Sequence, residues 1–181
     1  MILVVAATRR ELDYLDGVPT LVCGIGPVES ALATSAALAH SPPDALVHVG
    51  IAGAQRLPTA TLVIGSEAVY CDVIDPSSSL PRVERESPDA GLLARARDAL
   101  PAARVLPVAT TGRVGGGGAF EVEAMEGFGV LRAAALARVP AVELRAVSNA
   151  VAEPDRARWQ IEDALAALAE AVPVLLEALD A

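Results

Sequence analysis

Five short stretches of the 181-residue chain hold side chains able to do chemistry. Glu11, in TRRE, offers a carboxylate that can take a proton from water. Glu126, in EAMEG beside Met125, can accept two hydroxyl protons at once and so grip a diol. Asn149, after Ser148, has a donor side and an acceptor side with which to read a ligand edge. GIAGA supplies Gly50, Ala52 and Gly53, which let a backbone come close to a ligand. TTGRVGGGG supplies Thr111 and Gly112, and Phe120 follows it. Aromatic residues are only 3% of the chain, which gives Phe120 and Phe128 some claim to a stacking role.

Each stretch also has a plainer reading. Glu11 and Glu126 serve as first-turn acids on a helix dipole. Asn149 turns the chain after a strand. GIAGA makes a tight turn. VGGGG, with no Lys after it, is a flexible or shortened loop rather than an anion cradle. Met125, Phe120 and Phe128 fill a core, and His48 is a satisfied residue of an apolar strand. Taken singly, these plainer readings lead.

The elements that must position these residues change the balance. Apolar runs at 2–7, 19–23, 45–50, 104–109 and 141–147 predict buried strands, and 61–71 a longer extended segment. Helices are expected at 27–40, opening on Pro27, at 89–99, at 124–138, stopped by Pro140, and at about 156–179. The last places Ile161, Leu165, Leu168, Val172, Leu175 and Leu179 on one stripe, with a kink expected at Pro173. The least structured stretches are 75–88 and 111–118. This alternation predicts one α/β domain over residues 1–181, three-layered, with a mixed, mostly parallel sheet flanked by helices. In such sheets ligands bind beyond the carboxyl ends of the strands. Glu11, GIAGA, Thr111–Gly112 and Ser148–Asn149 all follow expected strands.

Composition narrows the chemistry. The net charge of −9 argues against nucleic-acid or anionic-membrane partners. All fourteen basic residues are Arg, so neither a Schiff-base lysine nor a Walker-type phosphate loop is available. Two Cys, 48 residues apart, and two His point to no metal site and no cofactor. With no apolar run near membrane-span length and no leader pattern, a cytoplasmic protein with free thiols is expected.

The ordered series VVAATRRE, CGIGPVESA, VHVGIAGA, VEAMEG and VELRAVSNAV, from residue 2 to about 159, resembles the nucleoside phosphorylase and nucleosidase superfamily. Within it, GIAGA, MEGFGV and RAVSNAV followed by DRARW look most like futalosine hydrolases, which release hypoxanthine from futalosine in a menaquinone pathway. The resemblance implies that Glu11 activates the attacking water and that Met125 and Glu126 grip the ribose. It further implies that Gly50, Ala52 and Gly53 line the ribosyl side. Asn149 stands where adenine-cleaving relatives hold an Asp that protonates N7, Ile51 where they usually hold Ser, and the segment before EAMEG is shorter than in typical relatives. The expected activity is purine N-ribosyl hydrolysis on a small nucleoside, in a homodimer or larger homo-oligomer by analogy. The rivals are a methylthioadenosine/S-adenosylhomocysteine-type nucleosidase, a nucleoside phosphorylase, and a non-catalytic nucleoside-binding protein.

Overall fold

The computed structural model describes residues 1–73 and 81–180. Part of the expected unstructured stretch, 75–80, lies outside these residues. Among them, eight strands form one sheet: β1 (Ile2–Ala6), β2 (Thr20–Val22), β3 (Ala45–Ala54), β4 (Leu62–Tyr70), β5 (Arg85–Glu86), β6 (Arg104–Thr110), β7 (Val122–Ala124) and β8 (Ala141–Ala150). The helices are α1 (Pro27–His40), α2 (Ala90–Ala99), α3 (Gly127–Ala137) and α4 (Ile161–Asp180), with 3-10 turns at Arg9–Glu11 and Arg156–Arg158.

The sheet is mixed and mostly parallel, as the apolar runs predict. The β1–β2, β1–β3, β3–β8, β4–β6 and β6–β7 pairs are parallel; β3–β7, β4–β5 and β4–β8 are antiparallel. Because β8 pairs with both β3 and β4, while β3 reaches β4 again through β7 and β6, five strands close into a ring. Burial follows the two-residue period of the strands. Val47 and Val49 of β3 and Val142, Leu144 and Ala146 of β8 pack with α2 and α4. Leu46 packs on the other side, with Leu38 of α1 and Val130 and Leu131 of α3. The result is a three-layer α/β fold.

Several boundaries move from the sequence expectation. β3 runs on through GIAGA and β8 through Ser148–Asn149, so both motifs lie within strands rather than after them. The helix expected from 124 starts at Gly127, because 122–124 are taken up as β7 between β3 and β6. The last helix begins at Ile161 and runs through Pro173, which is exposed. A proline there forgoes a backbone hydrogen bond on the solvent-facing side of the helix. No helix among the described residues is long and apolar enough to cross a membrane.

Candidate active site

A cavity of about 350 Å³ opens where β3 and β8 end beside the 3-10 turn at 9–11. The local sequence explains how its carboxylates are held. Thr8 caps that turn: its backbone N–H and its hydroxyl both donate to Glu11 Oε2, at 2.9 and 2.7 Å. Glu11 Oε1 accepts from the backbone N–H of Ile51 in β3, at 3.1 Å. Three donors thus fix a buried carboxylate on the cavity wall.

Glu126 ends the chain segment leaving β7 and sits at the N-cap of α3. Its Oε1 accepts from Gly26 N–H at 3.1 Å, and its Oε2 lies 3.5 Å from Arg145 Nη1. Burial raises its pKa above the usual 4.5, against the opposing pull of Arg145 and the Gly26 N–H. The positive charge therefore only partly offsets the desolvation of this carboxylate.

A bulge aims the third group. The β3–β8 register pairs Ala52 with Val147 and then Gly53 with Asn149, leaving Ser148 as the extra residue. Ser148 Oγ lies 3.2 Å from the Ala52 carbonyl and 2.8 Å from Asn149 Oδ1. Asn149 Nδ2 donates to Ala150 O at 3.0 Å, which leaves its second amide hydrogen for a ligand. A β carbon at Gly53 would sit 3.2 Å from that amide nitrogen, so glycine makes room for it.

Of the residues singled out in the sequence, Glu11, Ala52, Gly53, Thr111, Met125, Glu126, Ser148 and Asn149 line this one cavity. Gly50, Gly112 and Phe120 do not. Gly50 lies behind the wall, facing Glu11 and Arg145. Gly112 donates its N–H to Asp72 at 2.6 Å. Phe120 carries the Arg85 guanidinium 6.0 Å from its ring centre, and Phe128 stacks on Tyr70 with centroids 5.3 Å apart. The glycine run at 115–118 cradles an anion after all, but one of its own: Gly115 and Gly117 N–H donate to Glu123 at 2.5 and 2.9 Å.

Sequence reasoning missed two groups. Arg145, fully buried in β8, reaches the back of Glu126. The signal was available: Glu143 and Arg145, two apart in a buried run, must share a face of the strand. The other is a wall made by Arg10, Arg156, Trp159, Ile161 and Leu165. Ile161 and Leu165 begin the stripe of α4, yet they turn to the cavity while the stripe from Leu168 onward enters the core. Arg156 lies over the Trp159 ring, 5.3 Å from its centre, and Arg10 pairs with Glu162.

The arrangement brings two buried carboxylates and a side-chain amide with a spare hydrogen to the wall of one cavity of about 350 Å³. Residues 14–124 match the model of the phosphorylase superfamily. The futalosine hydrolase of Streptomyces coelicolor is 37% identical over 191 residues, covering 91% of this chain and 81% of that protein. A futalosine hydrolase mutant of Helicobacter pylori superposes with a TM-score of 0.87 at 16% identity, over 97% of this chain and 98% of the other. The Streptococcus pneumoniae MTA/SAH nucleosidase in complex with 8-aminoadenine superposes with a TM-score of 0.85 at 21% identity, over 98% and 99%. The match to the superfamily model and the identity to the Streptomyces enzyme place the chain in the phosphorylase superfamily, as a member of its futalosine hydrolase family.

Proposed function

We propose that the chain is a purine N-ribosyl hydrolase that releases hypoxanthine from futalosine, and so serves menaquinone synthesis. One observation carries the mechanism: Glu11, Glu126 and Asn149 face a single cavity. The C1′–N9 bond breaks with its electron pair going to the purine, and the sugar passes through an oxocarbenium-like state. Glu126 holds the 2′ and 3′ hydroxyls, and its charge favours the developing cation. Water, oriented by Glu11, bonds to C1′ and gives its proton to that carboxylate, which passes it to solvent as the departing purine anion takes one up. The spare amide hydrogen of Asn149 serves the O6/N7 edge of a 6-oxopurine, where both neighbours accept. In a 6-aminopurine only N7 accepts on that edge, and an amide hydrogen set against the 6-NH₂ is a buried unpaired donor, which costs about 1–3 kcal/mol.

An adenine-cleaving nucleosidase is the nearest rival, and Asn149 speaks against it. The formed cavity speaks against a chain that has lost its pocket. We place the enzyme in the cytoplasm on its free Cys23 and Cys71, and as a homodimer or larger on its exposed Val28 and Leu32 along α1. The decisive measurement is the kcat/KM ratio for inosine-type and adenosine-type substrates with the same 5′ group. The expected ratio strongly favours hypoxanthine release, and Asn149→Asp narrows it. A wild-type ratio near one would remove both the base assignment and the futalosine reading.

A further inference from the structure

Behind the cavity wall lies a charged cluster that the reaction as described does not use. Glu143, Arg145 and His48 are all fully buried. Arg145 Nε donates to Glu143 Oε1 at 2.8 Å, and its Nη2 lies 3.1 Å from His48 Nε2. Its Nη1 points the other way, 3.4 Å from Ile51 O and 3.5 Å from Glu126 Oε2. His48 Nδ1 faces Glu143 Oε1 at 3.6 Å. Burial, and then the Arg145 charge, hold the His48 pKa well below its usual 6.5, so the ring is neutral. Arg145 Nη2 lies 3.1 Å from His48 Nε2 and 3.3 Å from its Nδ1, so the guanidinium spans the edge of the neutral ring.

Stability does not account for this cluster. Replacing a buried ion pair by apolar side chains of similar volume is often neutral or stabilising. Here Glu143 Oε2 is buried without a hydrogen-bond partner. Glycines also clear the space it needs. A β carbon at Gly65 or Gly127 would come within 3.0 Å of the Glu143 carboxylate, and one at Gly50 would overlap the Arg145 guanidinium. Glycine inside a strand weakens it.

Charge supplies the reason. Arg145 beside Glu126 alone would cancel the negative charge that the sugar cation needs. With Glu143 on its Nε edge, the guanidinium is already compensated, and its rigid plane is fixed. We infer that Glu143, steadied by His48, is a positioning residue: it holds Arg145 so that Nη1 orients Glu126, while leaving the charge of Glu126 and Glu11 to act on the sugar. This rests on the nucleosidase reading of the cavity.

Glu143→Gln and Glu143→Asp test it. The groups facing Glu126 are Arg145, Glu11, the neutral His48 behind Arg145, and Cys23, whose thiol burial pushes up to about 12 and so leaves uncharged. In Glu143→Gln the uncompensated guanidinium draws on Glu126. Riboside kcat falls about tenfold or more with KM little changed. The preference for ribosides over 2′-deoxyribosides shrinks, and the acid limb of the kcat/KM profile moves to lower pH. Glu143→Asp keeps the charge and returns the acid limb to its wild-type position, with kcat still reduced by the shorter reach. Should Glu143→Gln fail to fold, Glu143→Asp carries the test through kcat and diol preference. Variants that lower only Tm, with kcat, diol preference and acid limb unchanged, overturn the inference. An NMR titration of the Glu126 carboxyl carbon reads the same shift without turnover. An inactive wild type would therefore sink the nucleosidase reading separately.

Discussion

Glu11 and Glu126 are both buried carboxylates, but their partners differ, and so do the roles proposed for them. Glu11 accepts three hydrogen bonds, from Thr8 N–H, Thr8 hydroxyl and Ile51 N–H, which fix its direction through neutral donors. A base so held can aim a water. Glu11→Gln keeps the shape and removes the base, so turnover should fall on the order of a hundredfold or more while substrate binding survives. Near-wild-type turnover in steady-state assays would reduce Glu11 to a cap for the 3-10 turn. Glu126 instead meets one N–H and a guanidinium, with lone pairs left over for hydroxyls. Glu126→Ala should therefore damage ribosides far more than 2′-deoxyribosides, and equal losses would make the residue structural. Its pKa also predicts a pH effect. The ionised form is the working form, and burial raises the pKa, so kcat/KM should fall on acidification with a midpoint above 4.5. An acid limb well below that value would show that Glu126 does not gate the reaction.

At the scale of elements, the site is where β3 and β8 run side by side past the limits their apolar runs suggest. GIAGA and SNA read as turns because glycine and short polar residues dominate them. They stay in strand because the ring gives each a hydrogen-bonded neighbour, which no local pattern encodes. β7 was illegible for a similar reason: three residues show no period, and its pairing with β3 and β6 is wholly long-range. The two Glu residues and Asn149 were legible through motif order; for Arg145 the sequence offered its spacing from Glu143 in a buried run, but not that Glu126 lies beside it. Gly50 tests how tightly these strands hold the cluster. It has no left-handed φ, so alanine suits its backbone and would ordinarily cost nothing or stabilise. Its β carbon would nonetheless overlap Arg145 and come 2.9 Å from Glu11 Oε1. Gly50→Ala should cost about 1–3 kcal/mol in thermal unfolding, the range for overpacking a filled interior. It should also lower kcat about tenfold or more by moving both charged groups. Wild-type kinetics in a folded Gly50→Ala would show that Arg145 has freedom this packing denies it.

For the whole molecule, charge decides between water and phosphate as the attacking group. The superfamily includes phosphorylases by name, so the fold alone leaves both open. A phosphorylase must hold a dianion against the sugar, which takes convergent cations free to meet it. This chain carries a net charge of −9, and the two arginines that follow β1 are engaged: Arg9 pairs with Asp13 and Arg10 with Glu162. Arg145, beside Glu126, is already occupied by Glu143 and Glu126. Three acidic side chains, Glu11, Glu123 and Glu126, line the same cavity and outnumber its two arginines, Arg10, which pairs with Glu162, and Arg156, which lies over Trp159. The same field suits a cationic sugar attacked by neutral water. Purine release should therefore proceed at the same rate in phosphate-free buffer and in phosphate at matched ionic strength. The sugar product should be the free ribosyl compound, with no sugar 1-phosphate detectable by phosphorus NMR. Matched ionic strength matters, because salt screens the cavity field whatever the anion. A rate that rises and saturates with phosphate, together with a 1-phosphate product, would make the enzyme a phosphorylase and would require Arg10 to leave Glu162 for the incoming anion.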